Sequence, residues 1–270
     1  MPIRLGAVTY LNARPLVYGL DAHDQFQIRY DIPSECARLL HAHEIDVGLI
    51  PSIEYLRGPR PYNIVPGPAV ASRGPVASVA IFTRREPHDI RTIAMDTSSR
   101  TSVALASIVL QKRYRVAPEA VPMAPDLDEM LARADAALII GDIALFIDDA
   151  ASGVQRIDLG EVWTSVTGLP FVYAVWAGWP EALTRDDVLA LQRARDAGVA
   201  QSAAVAAEYY PDDPARQAVA RHYLRDNIRY YLGAAEIDGL TTFYRYADEL
   251  KLASYDGSTR FYDADYAGAD

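Results

Sequence analysis

The stretch Asp-Thr-Ser-Ser-Arg-Thr-Ser at residues 96–102 could bind an anion. It is rich in hydroxyl groups and contains one guanidinium group, that of Arg100. The apolar run before it, 92–95, predicts a strand, and 103–110 after it predicts a buried helix. A helix N-terminus has free N–H groups and a partial positive charge, which suit a carboxylate or a phosphate. Since Ser, Thr and Asp are also favoured N-cap residues, ligand binding and simple capping both stay open.

Other polar residues also follow predicted strands directly. They are Asn12, Ser34, Ser52, Ser98 and Asp142, each near the predicted start of a helix. Ligands in open α/β sheets bind beyond the carboxyl ends of the strands, so we expect these residues to meet in one cleft. Several helix N-termini around one cleft would suit a small dicarboxylate. Each residue could instead cap its helix, and Ser78 could face either the cleft or the outside of its strand.

The sequence shows no evident general base. The five histidines fall in loops or predicted helices, and His41 and His43 stand two apart, so they do not share a helix face. We therefore expect no metal site. Asp96 and Asp142 follow strands, but each could equally cap a helix. Asn12 cannot act as a base at neutral pH, although its amide can hold a carboxylate, a hydroxyl or a water.

Strands and helices alternate along most of the chain. Strands are predicted at 3–8, 26–30 and 45–50, with helical segments between them, and this alternation predicts a parallel sheet. Further strands are predicted at 76–82, 92–95, 120–123, 136–140 and 171–176, and helices at 181–210, 214–232 and 239–250. We assign no strand to the Pro- and Gly-rich region 59–75.

These elements predict an α/β protein with two lobes around a hinged cleft. Two segments look like crossings between the lobes, 83–87 and 167–170. We expect residues 1–82 and 171–270 to form the first lobe with the C-terminal helices, and 83–170 to form an inserted second lobe.

Composition and charge exclude several classes of protein. The 270-residue chain has a formal net charge of −10, which argues against a nucleic-acid surface. Its single cysteine, Cys36, excludes an internal disulfide and a Cys-based zinc cluster. The first strand is not preceded by the basic and then apolar residues that are typical of a signal peptide, and no apolar run reaches membrane-spanning length. We therefore expect a cytoplasmic monomer or homodimer without a membrane partner.

Five segments stand out for their side chains and order. They are YLNARPL at 10–16, PSIEY at 51–55, DTSSRTS at 96–102, IGD at 140–142 and WTSVTGLPF at 163–171. Together they resemble the menaquinone-biosynthesis enzymes of the futalosine pathway, and most of all the chorismate dehydratases. The resemblance extends over about residues 3–250. It implies a periplasmic-binding-protein type 2 fold, which agrees with the two lobes predicted from the residues.

The resemblance implies that water is eliminated from the dicarboxylate chorismate to give 3-[(1-carboxyvinyl)oxy]benzoate, without a cofactor. We expect substrate contacts from Ser34, Ser52, Ser78, Ser98, Arg100, Thr101, Ser102, Gly141 and Asp142. Because no protein base is evident, we expect the enolpyruvyl carboxylate of the substrate to take the C3 proton, oriented by Asn12 as the catalytic residue. The alternatives are 1,4-dihydroxy-6-naphthoate synthase of the same pathway and a non-catalytic cytoplasmic protein that binds a small anion.

Overall fold

Two sheets carry the fold in this computed structural model, which describes residues 1–263. The strands in this range are β1 Ile3–Val8, β2 Phe26–Asp31, β3 Val47–Pro51, β4 Asn63–Ser72, β5 Val79–Thr83, β6 Thr92–Asp96, β7 Glu119–Met123, β8 Ala136–Ile140, β9 Gln155–Asp158, β10 Phe171–Gly178 and β11 Arg229–Tyr231. The α-helices are α1 Pro33–His41, α2 Thr101–Tyr114, α3 Leu127–Arg133, α4 Gly141–Leu145, α5 Asp149–Ser152, α6 Leu159–Thr167, α7 Arg185–Ala200, α8 Ser202–Tyr209, α9 Pro214–His222 and α10 Ala234–Glu249. Short 3₁₀ helices lie at Leu11–Val17, Leu20–Ala22, Ser52–Tyr55 and Pro87–Asp89, and a π-helical turn at Tyr223–Asn227.

The first sheet has the strand order β11-β4-β10-β3-β1-β2. β1 pairs in parallel with β2 and β3, which confirms the parallel arrangement predicted for the N-terminal strands. β10 runs antiparallel between β3 and β4, and β11 pairs antiparallel with β4. Every residue of β3 is buried. Burial on both faces explains why its sequence is a continuous apolar run without alternation.

The second sheet has the strand order β7-β6-β8-β5-β9. β6 pairs in parallel with β7 and β8, whereas β5 runs antiparallel to β8 and β9. The predicted boundary after residue 82 places β5 in the first lobe, and this pairing corrects it. The chain passes to the second sheet through 73–78, before β5, and returns through 159–170. The other residue bounds of the two lobes stay a prediction.

β4 runs through the Pro- and Gly-rich region to which the sequence pattern assigns no strand. Pro66 and Pro68 flank Gly67, whose φ of 102° lies in the left-handed region. The registers of β4 with β10 and with β11 shift around these residues, and such irregular positions tolerate proline in a strand. β4 is buried from Ile64 to Ser72. Pairing and burial between two partner strands therefore override the tendency of these proline and glycine residues to interrupt a strand.

The C-terminal region differs from its prediction at two places. The predicted helix 181–210 is divided into α7 and α8, which meet at Gln201. The predicted helix 214–232 ends at His222 and continues as the π-helical turn Tyr223–Asn227. β11 then pairs with β4, which takes the last residues of the predicted helix into the first sheet.

The last helix, α10, packs its apolar stripe into the core. Leu240, Phe243, Tyr244 and Ala247 are each no more than 1% exposed, as the helical spacing of these residues indicates. The Phe243 ring lies 4.9 Å from the ring of Phe171 on β10. Across the described residues, no helix has both the length and the hydropathy that crossing a membrane requires.

Candidate active site

A cavity lies where strand ends of the two sheets meet. It contains about 560 Å³ of non-atom space, part of it open to solvent. Its lining residues are Val8, Tyr10, Asn12, Ala13, Pro33, Leu49, Pro51, Val70, Val76, Ser78, Val79, Ser99, Arg100, Thr101, Ser102, Ile140, Gly141, Tyr173 and Ala174. Most of these side chains are apolar, and the polar ones come from separate segments. A ligand here would meet an apolar wall with a few oriented hydrogen-bonding groups.

The N-terminus of α2 forms one side of the cavity. Ser99, Thr101 and Ser102 are buried in the wall, whereas Arg100 is exposed. Arg100 occupies the N-cap position, and its side chain makes no capping hydrogen bond. Because the first N–H groups of a helix have no partner within it, this end of α2 offers donors and a partial positive charge to an anion.

Thr101 also ties α2 to the first sheet. Its Oγ1 accepts a hydrogen bond from the Ile53 N–H at 3.2 Å and lies 3.4 Å from Ser52 Oγ. Ser52 Oγ donates to the carbonyl of Val172 on β10 at 2.8 Å. The Ser52 hydroxyl therefore holds the start of α2 against the first sheet.

Asn12 and Ser78 share one hydrogen-bond partner, the phenol of Tyr223. Asn12 Nδ2 donates to Tyr223 Oη at 3.1 Å, and Ser78 Oγ lies 2.6 Å from the same oxygen. Tyr223 is 1% exposed, and burial raises the pKa of its phenol. The 3₁₀ helix Leu11–Val17 has Tyr10 at its N-cap position, so Asn12 lies within this helix and does not cap it. The capping alternative for Asn12 is therefore wrong.

Ser78 stands in a segment that a buried carboxylate holds in place. Ala77, just before it, has a φ of 65°, which is uncommon for a residue other than glycine. Asp158 accepts hydrogen bonds from the N–H groups of Val76 at 3.0 and 3.1 Å and of Ala77 at 2.7 Å. The same carboxylate caps α6 through the Gly160 N–H at 2.9 Å. Asp158 thus fixes the strained turn that carries Ser78 to the cavity.

Gly141 and Tyr10 face each other in the wall. Gly141 has a φ of 66°, and a Cβ added there would lie 3.0 Å from the Tyr10 ring. Tyr10 Oη donates to Ser98 Oγ at 3.0 Å, and Ser98 Oγ donates to Asp96 Oδ1 at 2.6 Å. Burial raises the pKa of the Asp96 carboxyl, although hydrogen bonds from Ser98 and the Ile140 N–H oppose this effect. Ser98 and Asp96 therefore act as a support for Tyr10.

Asp142 holds the segment that carries Tyr10 and Asn12. Its carboxylate oxygens accept from the Leu11 N–H at 3.2 and 3.4 Å, and Oδ2 also accepts from Tyr209 Oη at 2.6 Å. Burial raises the pKa of the Asp142 carboxyl, while the bonds from Tyr209 and Leu11 oppose this. Asp142 thereby links the start of α4 to the segment that follows β1.

The cavity wall contains few titratable groups. Within the described residues, those that line it are Tyr10, Arg100 and Tyr173. Burial raises the pKa of both phenols, so neither is a base at neutral pH. This set includes no carboxylate and no imidazole. Over residues 1–263, no three His, Cys, Asp or Glu side chains are grouped so that they could hold a metal ion.

Comparison with known proteins places the chain in a family. A family model described as menaquinone biosynthesis matches residues 3–249. The chain belongs to this menaquinone-biosynthesis family. A relative from Thermus thermophilus, named chorismate dehydratase, is 31% identical over a 260-residue alignment that covers 90% of this chain and 94% of the relative. The family resemblance of the sequence motifs is confirmed.

Solved structures show which fold this member of the menaquinone-biosynthesis family has. A protein from Archaeoglobus fulgidus has a TM-score of 0.70 at 19% identity, covering 93% of this chain and 98% of its own. An alkanesulfonate-binding protein from Xanthomonas axonopodis pv. citri has a TM-score of 0.68 at 14% identity, covering 94% of each chain. A Candida albicans protein described as having the periplasmic-binding-protein fold has a TM-score of 0.64 at 13% identity, covering 98% and 99%. The predicted periplasmic-binding-protein fold is confirmed.

The structure divides the site residues predicted for this family member into two groups. Those in the cavity wall are Asn12, Ser78, Arg100, Thr101, Ser102 and Gly141. The wall formed by the described residues does not include Ser34, Ser52, Ser98 or Asp142. Ser34 follows Pro33, which does line the cavity. Ser98 and Ser52 contact the wall residues Tyr10 and Thr101, and Asp142 accepts a hydrogen bond from Leu11, next to Tyr10. Direct substrate contact is therefore a better prediction for the first group than for the second.

Sequence reasoning missed two tyrosines at the candidate site. Tyr173, on β10, lines the cavity, and its Oη lies 3.0 Å from Ser72 Oγ. Tyr223 falls in a predicted helix and reaches Asn12 from 211 positions along the chain. No local pattern distinguishes either from the other buried tyrosines, because both are placed by long-range packing.

Proposed function

We propose that this protein is a chorismate dehydratase, a carbon–oxygen lyase that eliminates water from chorismate. The observation that carries the proposal is the 31% identity to the Thermus thermophilus chorismate dehydratase over 90% of this chain. The cavity supports it, because chorismate combines an apolar ring with two carboxylates. The apolar wall suits the ring, and the N-terminus of α2 with Arg100, Thr101 and Ser102 suits a carboxylate.

The proposed reaction breaks the C3–H bond and the C4–O bond of chorismate. The electrons of the C3–H bond form the C3=C4 double bond, the C4 hydroxyl leaves as water with the proton that was taken from C3, and the ring becomes aromatic. The ring carboxylate is conjugated with C3 through C1=C2, so negative charge spreads toward it as the proton leaves. Donors at the α2 N-terminus would stabilise that charge.

The base in this proposal is the substrate's own enolpyruvyl carboxylate. The titratable cavity residues Tyr10, Tyr173 and Arg100 do not suit the role, and the carboxylates of Asp96 and Asp142 are engaged in supporting hydrogen bonds. Asn12 keeps one amide proton and its carbonyl beyond the bond to Tyr223. We assign Asn12 the role of orienting the enolpyruvyl carboxylate toward the C3 proton.

Asn12→Asp tests this mechanism. An aspartate can accept from Tyr223 Oη, so the variant should fold, but its charge would stand beside the enolpyruvyl carboxylate. Two such charges 4 Å apart repel by about 4 kcal/mol at an effective dielectric constant of about 20. Turnover, followed by chromatography of the benzoate product, should fall by at least roughly 100-fold. The thermal midpoint should stay near that of the wild type.

Asn63→Asp is the matched control. It adds the same charge at the first residue of β4, outside the cavity wall, and should keep wild-type turnover. Near-normal turnover by Asn12→Asp would refute the role of Asn12. A wild-type protein that leaves chorismate unchanged would refute the dehydratase proposal, and its conversion of the naphthoate synthase substrate would favour the sister enzyme.

A further inference from the structure

Asn12 and Ser78 approach the cavity from different sheets, yet one buried group joins them. Asn12 follows β1 of the first sheet, and Ser78 immediately precedes β5 of the second. The oxygen of Tyr223 lies 3.1 Å from Asn12 Nδ2 and 2.6 Å from Ser78 Oγ. Tyr223 itself is not in the cavity wall formed by the described residues. It can therefore influence a bound ligand only through its two partners.

The hydrogen-bond directions in this group follow from the chemistry of its members. The Nδ2 of Asn12 can only donate, so Tyr223 Oη accepts from it. Either hydroxyl could donate across the Tyr223–Ser78 contact, and we assign the proton to Tyr223 because the described residues offer its buried hydroxyl no other acceptor. Ser78, having accepted, turns its hydroxyl proton to another acceptor, and it lines the cavity. The second amide proton of Asn12 likewise has no partner among the described residues. The arrangement thus presents two donors to the cavity, as a carboxylate or a leaving hydroxyl requires.

The segment around Tyr223 is built to hold this contact. Tyr223 begins a π-helical turn that extends α9, and such turns are frequently found at functional sites. The last residue of the turn, Asn227, donates from Nδ2 to the carbonyl of Pro75 at 3.0 Å. The same turn therefore forms hydrogen bonds with the 73–78 crossing at two residues, Pro75 and Ser78. Burial raises the pKa of the Tyr223 phenol, so its proton stays in place at neutral pH.

We propose that Tyr223 is a positioning residue for the reaction, which orients Asn12 and Ser78 as paired donors toward the substrate. The inference rests on the proposed function, because it assigns that reaction a third residue. Tyr223 does not touch the substrate. Its removal would leave the two donors free to turn, and donor orientation counts more in the transition state than in the ground state.

Tyr223→Phe tests the inference, and Tyr230→Phe is its matched control. Both phenols are buried, at 1% and 2% exposure, but Tyr230 Oη has no hydrogen-bond partner within residues 1–263. With chorismate as substrate, Tyr223→Phe should lower kcat by roughly 10- to 100-fold and change KM by less than about threefold. Tyr230→Phe should keep both constants. A lower thermal midpoint alone, with kcat unchanged, would assign Tyr223 a structural role and overturn the proposal.

A double-mutant cycle gives an independent readout. If Tyr223 acts partly through Ser78, the combined loss of kcat in Tyr223→Phe with Ser78→Ala should be smaller than the product of the two single losses. Losses that simply multiply would refute coupling through Ser78. The activity of the wild-type protein distinguishes failure of the proposed function from failure of this inference. An inactive wild type contradicts the proposed function. An active wild type together with a fully active Tyr223→Phe variant contradicts this inference alone.

Discussion

Gly141→Ala should damage both stability and activity, and the structure separates the two causes. Gly141 has a φ of 66°, and an alanine in this left-handed region costs about 1–2 kcal/mol. The new Cβ would also lie 3.0 Å from two ring atoms of Tyr10, where a relaxed carbon contact needs roughly 3.5–4.0 Å. The ring must therefore move by a few tenths of an ångström. Tyr10 resists this because its hydroxyl is bonded to Ser98 at 3.0 Å.

Gly153→Ala isolates the backbone part of this cost. Gly153 has a φ of 61°, close to that of Gly141, and a Cβ there would meet no atom of the described part of the chain within 4 Å. Gly153→Ala should lose about 1–2 kcal/mol. Gly141→Ala should lose about 1–3 kcal/mol more, as overpacking does.

The assay compares both variants with the wild type in thermal unfolding and in chorismate turnover. Gly153→Ala should keep wild-type kcat/KM, since Gly153 is exposed and outside the cavity wall. Gly141→Ala should lose at least roughly tenfold in kcat/KM, because Tyr10 is displaced within the wall. Equal thermal midpoints and equal activities for the two variants would refute the argument that the Tyr10 ring is held rigidly against Gly141.

Two further outcomes are expected. Ser102→Ala should raise KM for chorismate by roughly 5- to 100-fold, the equivalent of about 1–3 kcal/mol for one hydrogen bond to a carboxylate, and an unchanged KM would exclude Ser102 from binding. Burial alone would raise the pKa of Glu54, but hydrogen bonds from His41 and Arg57 outweigh burial and lower this pKa below its ordinary value of 4.5. The ionised Glu54 carboxylate therefore stabilises the folded protein above pH 4.5, and this stabilisation is lost as pH falls through the folded-state pKa. The difference in free energy of unfolding between the wild type and Glu54→Gln should therefore disappear on acidification. A gap that stays constant in denaturant titrations from pH 7 to pH 3 would contradict this assignment.

The strands that begin the chain could be predicted closely, because their residues carry their own signals. Ile3–Val8 has the predicted bounds, and β3 is a short apolar run that ends at a proline. The start of α2 could also be predicted, since hydroxyl residues there follow an apolar strand and precede an apolar helix. Its placement in the cavity wall follows from a general rule for open α/β sheets.

Elsewhere the local pattern indicates the wrong structure. The Pro- and Gly-rich composition of 59–75 argues against a strand, yet β4 is buried between β10 and β11. Residues 229–231 have a helical pattern but pair with β4. Both outcomes depend on pairing between strands that lie far apart in the chain, since β4 ends at Ser72, β10 begins at Phe171 and β11 begins at Arg229. A local window contains no information about such partners.

The sequence by itself therefore determined the alternation of strands and helices and the family, and with them the region of the cleft. Only the tertiary structure decided which side chains enter the cavity. Ser98 and Asp142 follow strand ends as Asn12 does, but their polar atoms are taken by Tyr10 and Asp96, and by Leu11 and Tyr209. Tyr223 meets Asn12 across 211 residues because β11 and the π-helical turn bring the C-terminal region back to the first sheet. Hydrogen-bond partners so distant in the chain are set by the order of strands and the closure of long loops, which no spacing of neighbouring residues encodes.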